Sequence, residues 1–128
     1  MSEEHVPEYL REHALRGDLL LFRLRDQLEE LRRALGGGQQ RRGLPLLKQE
    51  TVSVVLTVLR AGGDIAEHDT SGIALVQVLD GRVRLRAGSE ERELVVGDLA
   101  SIGPGVPHHI HALEDAAILV TVALTGTR

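Results

Sequence analysis

The sequence predicts an all-β domain, a sandwich or barrel of short strands, carrying an α-helical extension at its N-terminus. Two observations lead there. Residues 51–63 (TVSVVLTVLRAGG), 73–81 (IALVQVLDG), 82–88 (RVRLRAG), 92–98 (RELVVGD) and 116–124 (AAILVTVAL) are β-branched runs punctuated by Gly and Asp. Short strands at such spacing, separated by glycine turns, build two-layered or closed antiparallel folds. Ahead of residue 36 the period changes: Leu21, Leu24, Leu28, Leu31 and Leu35 recur at spacings of 3, 4, 3 and 4, which makes a stripe on one face of a helix.

Each element can be justified in turn. A short helix is expected early, with Pro7 in its first turn and Leu10 and Ala14 on one side. The leucine-striped helix is expected to start at Asp18, whose side chain can cap it, and to stop at Gly36-Gly37-Gly38. Its stripe covers its own domain or forms a dimer seam. GGGQQRRG, residues 36–43, reads as a flexible polar linker. The expected organisation is thus a helical extension with linker over 1–43 and a β-domain over 44–128. A two-residue turn at Gly88-Ser89 sets Arg86 opposite Glu91, Arg84 opposite Glu93 and Val83 opposite Leu94. Charges then share one face and apolar residues the other. With carboxylates facing it, the row Arg82, Arg84, Arg86 reads as a solvent-facing ladder rather than an anion-binding stripe.

Composition removes several classes of function. The 128 residues contain no cysteine, so disulfides, thiolate metal sites and cysteine nucleophiles are absent. Tyr9 and Phe22 are the only aromatics and the formal charge is −4, which leaves neither a stacking platform nor a basic surface for nucleic acid. No apolar run reaches the ~20 residues of a membrane span, and the acidic start MSEEH lacks the pattern of a secretory signal. A cytoplasmic location is expected. No glycine-rich phosphate loop or serine-nucleophile signature is present.

One stretch stands out chemically. GDLASIGPGVPHHIHAL, residues 97–113, holds His108, His109 and His111 beside a Pro/Gly turn. Side chains alternate along a strand, so with His108 pointing inward, Ile110 and Ala112 join it while His109 and His111 point out. A bulge in that strand would bring His111 in.

The order of these elements, with two spaced glycine–histidine motifs, resembles the cupin superfamily over residues 46–125. The first family motif maps onto Gly62, His68, Thr70, Ala74 and Gly81, with Thr70 in place of a second His and Ala74 in place of a Glu. The second maps onto Gly97, Gly103, Gly105, His108 and Ala112, with Gly103 in place of Pro and Ala112 in place of Asn. The resemblance implies a double-stranded β-helix, or jelly-roll barrel. Family members that hold a divalent metal (Fe, Mn, Ni or Zn) use the motif His and Glu side chains. Here it implies His68 and His108 as surviving ligands, with His111 a displaced third. Asp64 has the parity of His68 but lies roughly 13 Å along the strand from it.

The expected pocket combines His68, Thr70, Val76, Val78, His108, Ile110 and Ala112, two imidazoles on an apolar wall. Two functions follow from it. One is a small-molecule-binding barrel with a degenerate metal site. The other is a metal-dependent enzyme of the dioxygenase or isomerase type using His68 and His108. The resemblance further implies a homodimer.

Overall fold

The computed structural model describes residues 17–124, and of His68 the backbone alone. The short helix expected near Pro7, and His5 and His13, fall outside the described residues. After helix α1 (Leu24–Ala34) come β1 (Arg41–Lys48), β2 (Val52–Leu59), β3 (Asp64–His68), β4 (Ile73–Asp80), β5 (Arg82–Ala87), β6 (Glu90–Val95), β7 (Leu99–Ile102), β8 (His108–Ala112) and β9 (Ala116–Ala123). They form a five-stranded sheet in the order β1-β2-β9-β4-β7 and a four-stranded sheet in the order β3-β8-β5-β6, with every pairing antiparallel.

The inner faces of the two sheets enclose the main core. Ala74, Val76, Val78, Ile102 and Ile118 of the larger sheet pack with Val83, Leu85, Leu94, Ile110 and Ala112 of the smaller. A second core lies on the outer face of the larger sheet, where Leu28 and Leu31 of α1 cover Leu44, Leu46, Leu56, Val58 and Ala117. Four of the five leucines of the stripe, all but Leu21, are therefore used within the chain's own domain. Burial on both faces explains why β9 opens as a continuous apolar run, with Ala116 and Ile118 facing inward and Ala117 facing the helix.

The helix starts five residues later than its composition suggests, with its N-cap at Arg23 rather than Asp18. Arg23 stands at its N-cap, without a side-chain cap, and Gln27 N–H donates to the Arg23 carbonyl to close the first turn. Leu21 stays exposed, while Leu24, Leu28, Leu31 and Leu35 contact the sheet. Packing, rather than a cap at Asp18, sets the start. Asp26 in the first turn and Arg32 and Arg33 in the last complement the helix dipole. The far end is held by Arg60, which follows β2: its guanidinium donates to the carbonyls of Gly36 (2.9 Å), Leu35 (3.4 Å) and Gln39 (2.9 Å). These include carbonyls that the helix end leaves unsatisfied.

Two details depart from a regular reading. The strand β1 begins at Arg41, inside the stretch whose polar composition reads as linker; it is an edge strand, and its first three residues are exposed. Pro45 is tolerated there because an edge strand with a bulge between Pro45 and Leu47 does not need its missing N–H. The β5–β6 hairpin has the expected register throughout, with Gly88 at φ 60° as the first residue of a II′-type turn. Its ion pairs are diagonal, Arg84 to Glu91 at 3.7 Å and Arg82 to Glu93, on the exposed face. Between β4 and β5, Gly81 sits at φ 75°, and a Cβ there would fall 2.1 Å from the Asp115 carbonyl oxygen, so glycine is required twice over. No helix among the described residues is long and apolar enough to cross a membrane.

Leu28→Ala is expected to lower folding stability by about 2–5 kcal/mol, because it opens the second core at a fully packed position. Urea unfolding followed by far-UV circular dichroism measures this; a change below about 0.5 kcal/mol would show that α1 is not coupled to the sheet.

Candidate functional site

The inner site is set by β8, whose residues alternate strictly between buried and half-exposed from His108 to Ala112. It pairs with β5 without interruption, Ala87 opposite His108 and Val83 opposite Ala112. No bulge occurs there, so His111 stays on the outer face. His108 is 3 % exposed, with Nδ1 3.0 Å from the Val106 carbonyl oxygen. A carbonyl only accepts, so Nδ1 carries a hydrogen at this bond. Across β3–β8, His68 is the direct Cα partner of His108, which places the two motif histidines side by side in the sheet.

The other positions of the first motif carry no donor toward them. Thr70 lies in the loop after β3, where its hydroxyl donates to the Gly72 carbonyl at 2.8 Å and its own carbonyl accepts from Gly105 N–H. The latter bond ties the two motif segments together. Ala74 is 1 % exposed and contributes only a methyl group to the core. Among the described residues, no group of three His, Asp or Glu side chains is placed to hold a metal ion. The iron sites of this class need a carboxylate beside two imidazoles, and zinc takes three or four ligands. Among the described side chains, no such donor set is brought together.

Val76, Val78, Ile110 and Ala112 point inward as the alternation requires and are packed into the main core rather than around open space. A cavity of about 280 Å³ opens instead where β6 and β7, the end strands of the opposed sheets, face each other. Its wall is aliphatic, from Leu85, Ala87, Ala100, Ile102 and Val106. Its polar lining comes from Glu90, Arg92 and Ser101. His108 stands next to it: Val106 and Ala87, which line the cavity, are its hydrogen-bond acceptor and its cross-strand partner.

Glu90 and Arg92 were readable in principle. The count that sets Arg86 opposite Glu91 also sets Arg92 opposite Leu85 and Glu90 opposite Ala87. Leu85 is buried and Ala87 packs on the core, so both charged residues belong to the inner side of the barrel mouth. Their Nη2–Oε1 distance is 2.9 Å and Arg92 Nη1 donates to the Glu91 carbonyl at 3.1 Å.

A second group lies on the outer face of the smaller sheet. A bulge between Ile65 and His68 shifts the parity of β3, so Asp64 pairs with His111 rather than sharing the inward side expected for it. Its Oδ1 accepts from His111 Nδ1 at 2.8 Å and from His109 Nε2 at 2.9 Å. The His111 hydrogen bond, acting against burial and helped by the charges of the two neighbouring imidazoles, holds the Asp64 carboxyl below the usual carboxylate range.

With this site and two-sheet topology, the molecule is a jelly-roll β-barrel with a helix on its outer face. A cupin-domain family model matches residues 55–124, more than half of the chain, and the chain belongs to the cupin family. Its fold is similar to that of a conserved protein of unknown function from Streptococcus pyogenes (19% identity, 88% of this chain and 93% of that one covered, TM-score 0.68). A cupin superfamily protein from Desulfitobacterium hafniense is similar at 16% identity over 86% of this chain and 94% of that one, with a TM-score of 0.68. An RmlC-like cupin from Shewanella frigidimarina is similar at 15% identity over 72% of this chain and 83% of that one, with a TM-score of 0.64. No curated protein matches the sequence.

Because the folded Asp64 carboxyl is held low, its contribution to stability is complete above the ordinary range of about pH 4 and is lost as the pH falls through its folded value. His111→Ala is expected to move the Asp64 titration, followed by carbon NMR of the carboxyl, back toward that ordinary range. An unchanged titration would show that the imidazole does not set it.

Proposed function

We propose that this cupin binds a small, partly apolar molecule in its barrel and works without a resident metal ion. The supporting observation is Ala74: the position that supplies a carboxylate in the family motif is a buried methyl group here, and the hydroxyl of Thr70 is committed to Gly72. His68 and His108 then act as polar handles on an apolar interior, with the His108 ring oriented by its bond to the Val106 carbonyl. The cavity beside His108 provides the space. Protein purified without a histidine tag and dialysed is expected to retain well under one metal ion per chain by elemental analysis. Stoichiometric iron, manganese, nickel or zinc that disappears in both His68→Ala and His108→Ala would favour the metal-dependent dioxygenase or isomerase reading instead.

We also propose that two copies pair through the outer face of the five-stranded sheet beyond the reach of α1. Ile73 and Leu99 are 38 % and 63 % exposed there, with the half-buried Leu75 lying between them on the same face. Leu99→Glu is expected to convert a dimer to a monomer in sedimentation velocity; a sedimentation coefficient identical to that of the parent would remove this face from consideration.

A further inference from the structure

The cavity between β6 and β7 has a composition that restricts what can enter it. Among the described residues its wall is aliphatic and lacks aromatic side chains, so it offers no flat surface on which a ring would stack. At about 280 Å³ it has room for roughly nine water-sized groups, taking about 30 Å³ for each. An unbranched chain of a few carbons with one head group matches that space and that wall.

The head group is indicated by β6. Charged residues pointing inward from an end strand commonly serve to discourage edge-to-edge pairing, and Glu90 and Arg92 meet that description. Arg92 has chemistry beyond it. Among the described residues, two of the five N–H donors of its guanidinium are engaged, one by Glu90 and one by the Glu91 carbonyl. The ion pair with Glu90 is more than two-thirds exposed on both sides, which makes it weak and easily exchanged. A carboxylate brought in by a ligand can occupy two donors of the planar fork at once, which Glu90 does not do. Among the described residues no other cation lines the cavity, and Glu90 stays nearby, so a second negative charge on the ligand would be repelled.

We infer that the cavity takes a small aliphatic monocarboxylic acid, with its carboxylate on Arg92 and its chain against Leu85, Ile102 and Val106. This rests on the small-molecule reading above and names the ligand class for it. Glu90 competes with the ligand for Arg92, and the two variants of this pair therefore act in opposite directions.

Nitrogen-15 NMR titration of the full chain with hexanoate, hexan-1-ol and hexylamine separates the cases. Hexanoate is expected to shift the amides of Leu85, Ile102 and Val106 to saturation. Arg92→Gln should weaken it at least tenfold, Arg92→Lys should recover part of the loss, and Glu90→Gln should tighten it several-fold. Hexan-1-ol is expected to bind the same amides more weakly and without response to either substitution. If hexanoate and hexan-1-ol bind equally and Arg92→Gln changes neither, the carboxylate assignment falls while small-molecule binding stands. If none of the three shifts the cavity amides, the carboxylate assignment and the binding reading fall together.

Discussion

The uninterrupted alternation of β8 is the constraint on which the site depends. Flanked by β3 on one side and β5 on the other, its five residues divide cleanly into an inner set, His108, Ile110 and Ala112, and an outer pair, His109 and His111. The division turns a dense run of histidines into two chemically separate groups. One imidazole is buried and fixed by a backbone carbonyl; the other two share a carboxylate at the surface. A bulge of one residue in this strand would have exchanged the two sets. The bulge falls in β3 instead, and its effect is to move Asp64 to the outside, next to the histidines that can use it.

This cupin keeps the scaffold of its family's site while its side chains have changed. The glycines at the motif turns remain where the backbone demands them, as Gly81 shows by conformation and by closeness to Asp115. The hydrogen bond from Gly105 to Thr70 still joins the two motif segments. Two of the four motif positions, by contrast, hold a hydroxyl turned to its own loop and a methyl group in the core, while His68 and His108 occupy the others. Among the described residues, that backbone presents an aliphatic interior with the buried imidazole of His108 and, at its mouth, an ion pair.

Much of this could be read from residues alone, for identifiable reasons. The β5–β6 register followed from the two-residue turn, since Gly88 at positive φ and strict alternation leave one pairing that separates charge from core. The orientation of His108, His109 and His111 followed from the same period of two. What could not be read was long-range or irregular. The helix start was missed because contact of Leu24 and Phe22 with the sheet outweighs the capping preference of Asp18. The beginning of β1 was hidden by Arg41, Arg42 and Gly43, residues that suit an exposed edge as well as a loop. The side of Asp64 depended on a bulge for which the local sequence carries no marker. Where the cavity lies depended on which strands end the two sheets, which a single strand cannot reveal.

The grip of Arg60 on the carbonyls of Leu35, Gly36 and Gln39 joins the end of the helix to the strand beside β9, near the middle of the larger sheet. Tension applied to the chain ahead of residue 36 is thereby passed to β2, which is laced to a neighbour along both edges. The helix is anchored cargo of the barrel, and whatever is fused or tethered upstream of it inherits a mechanically stiff point of attachment.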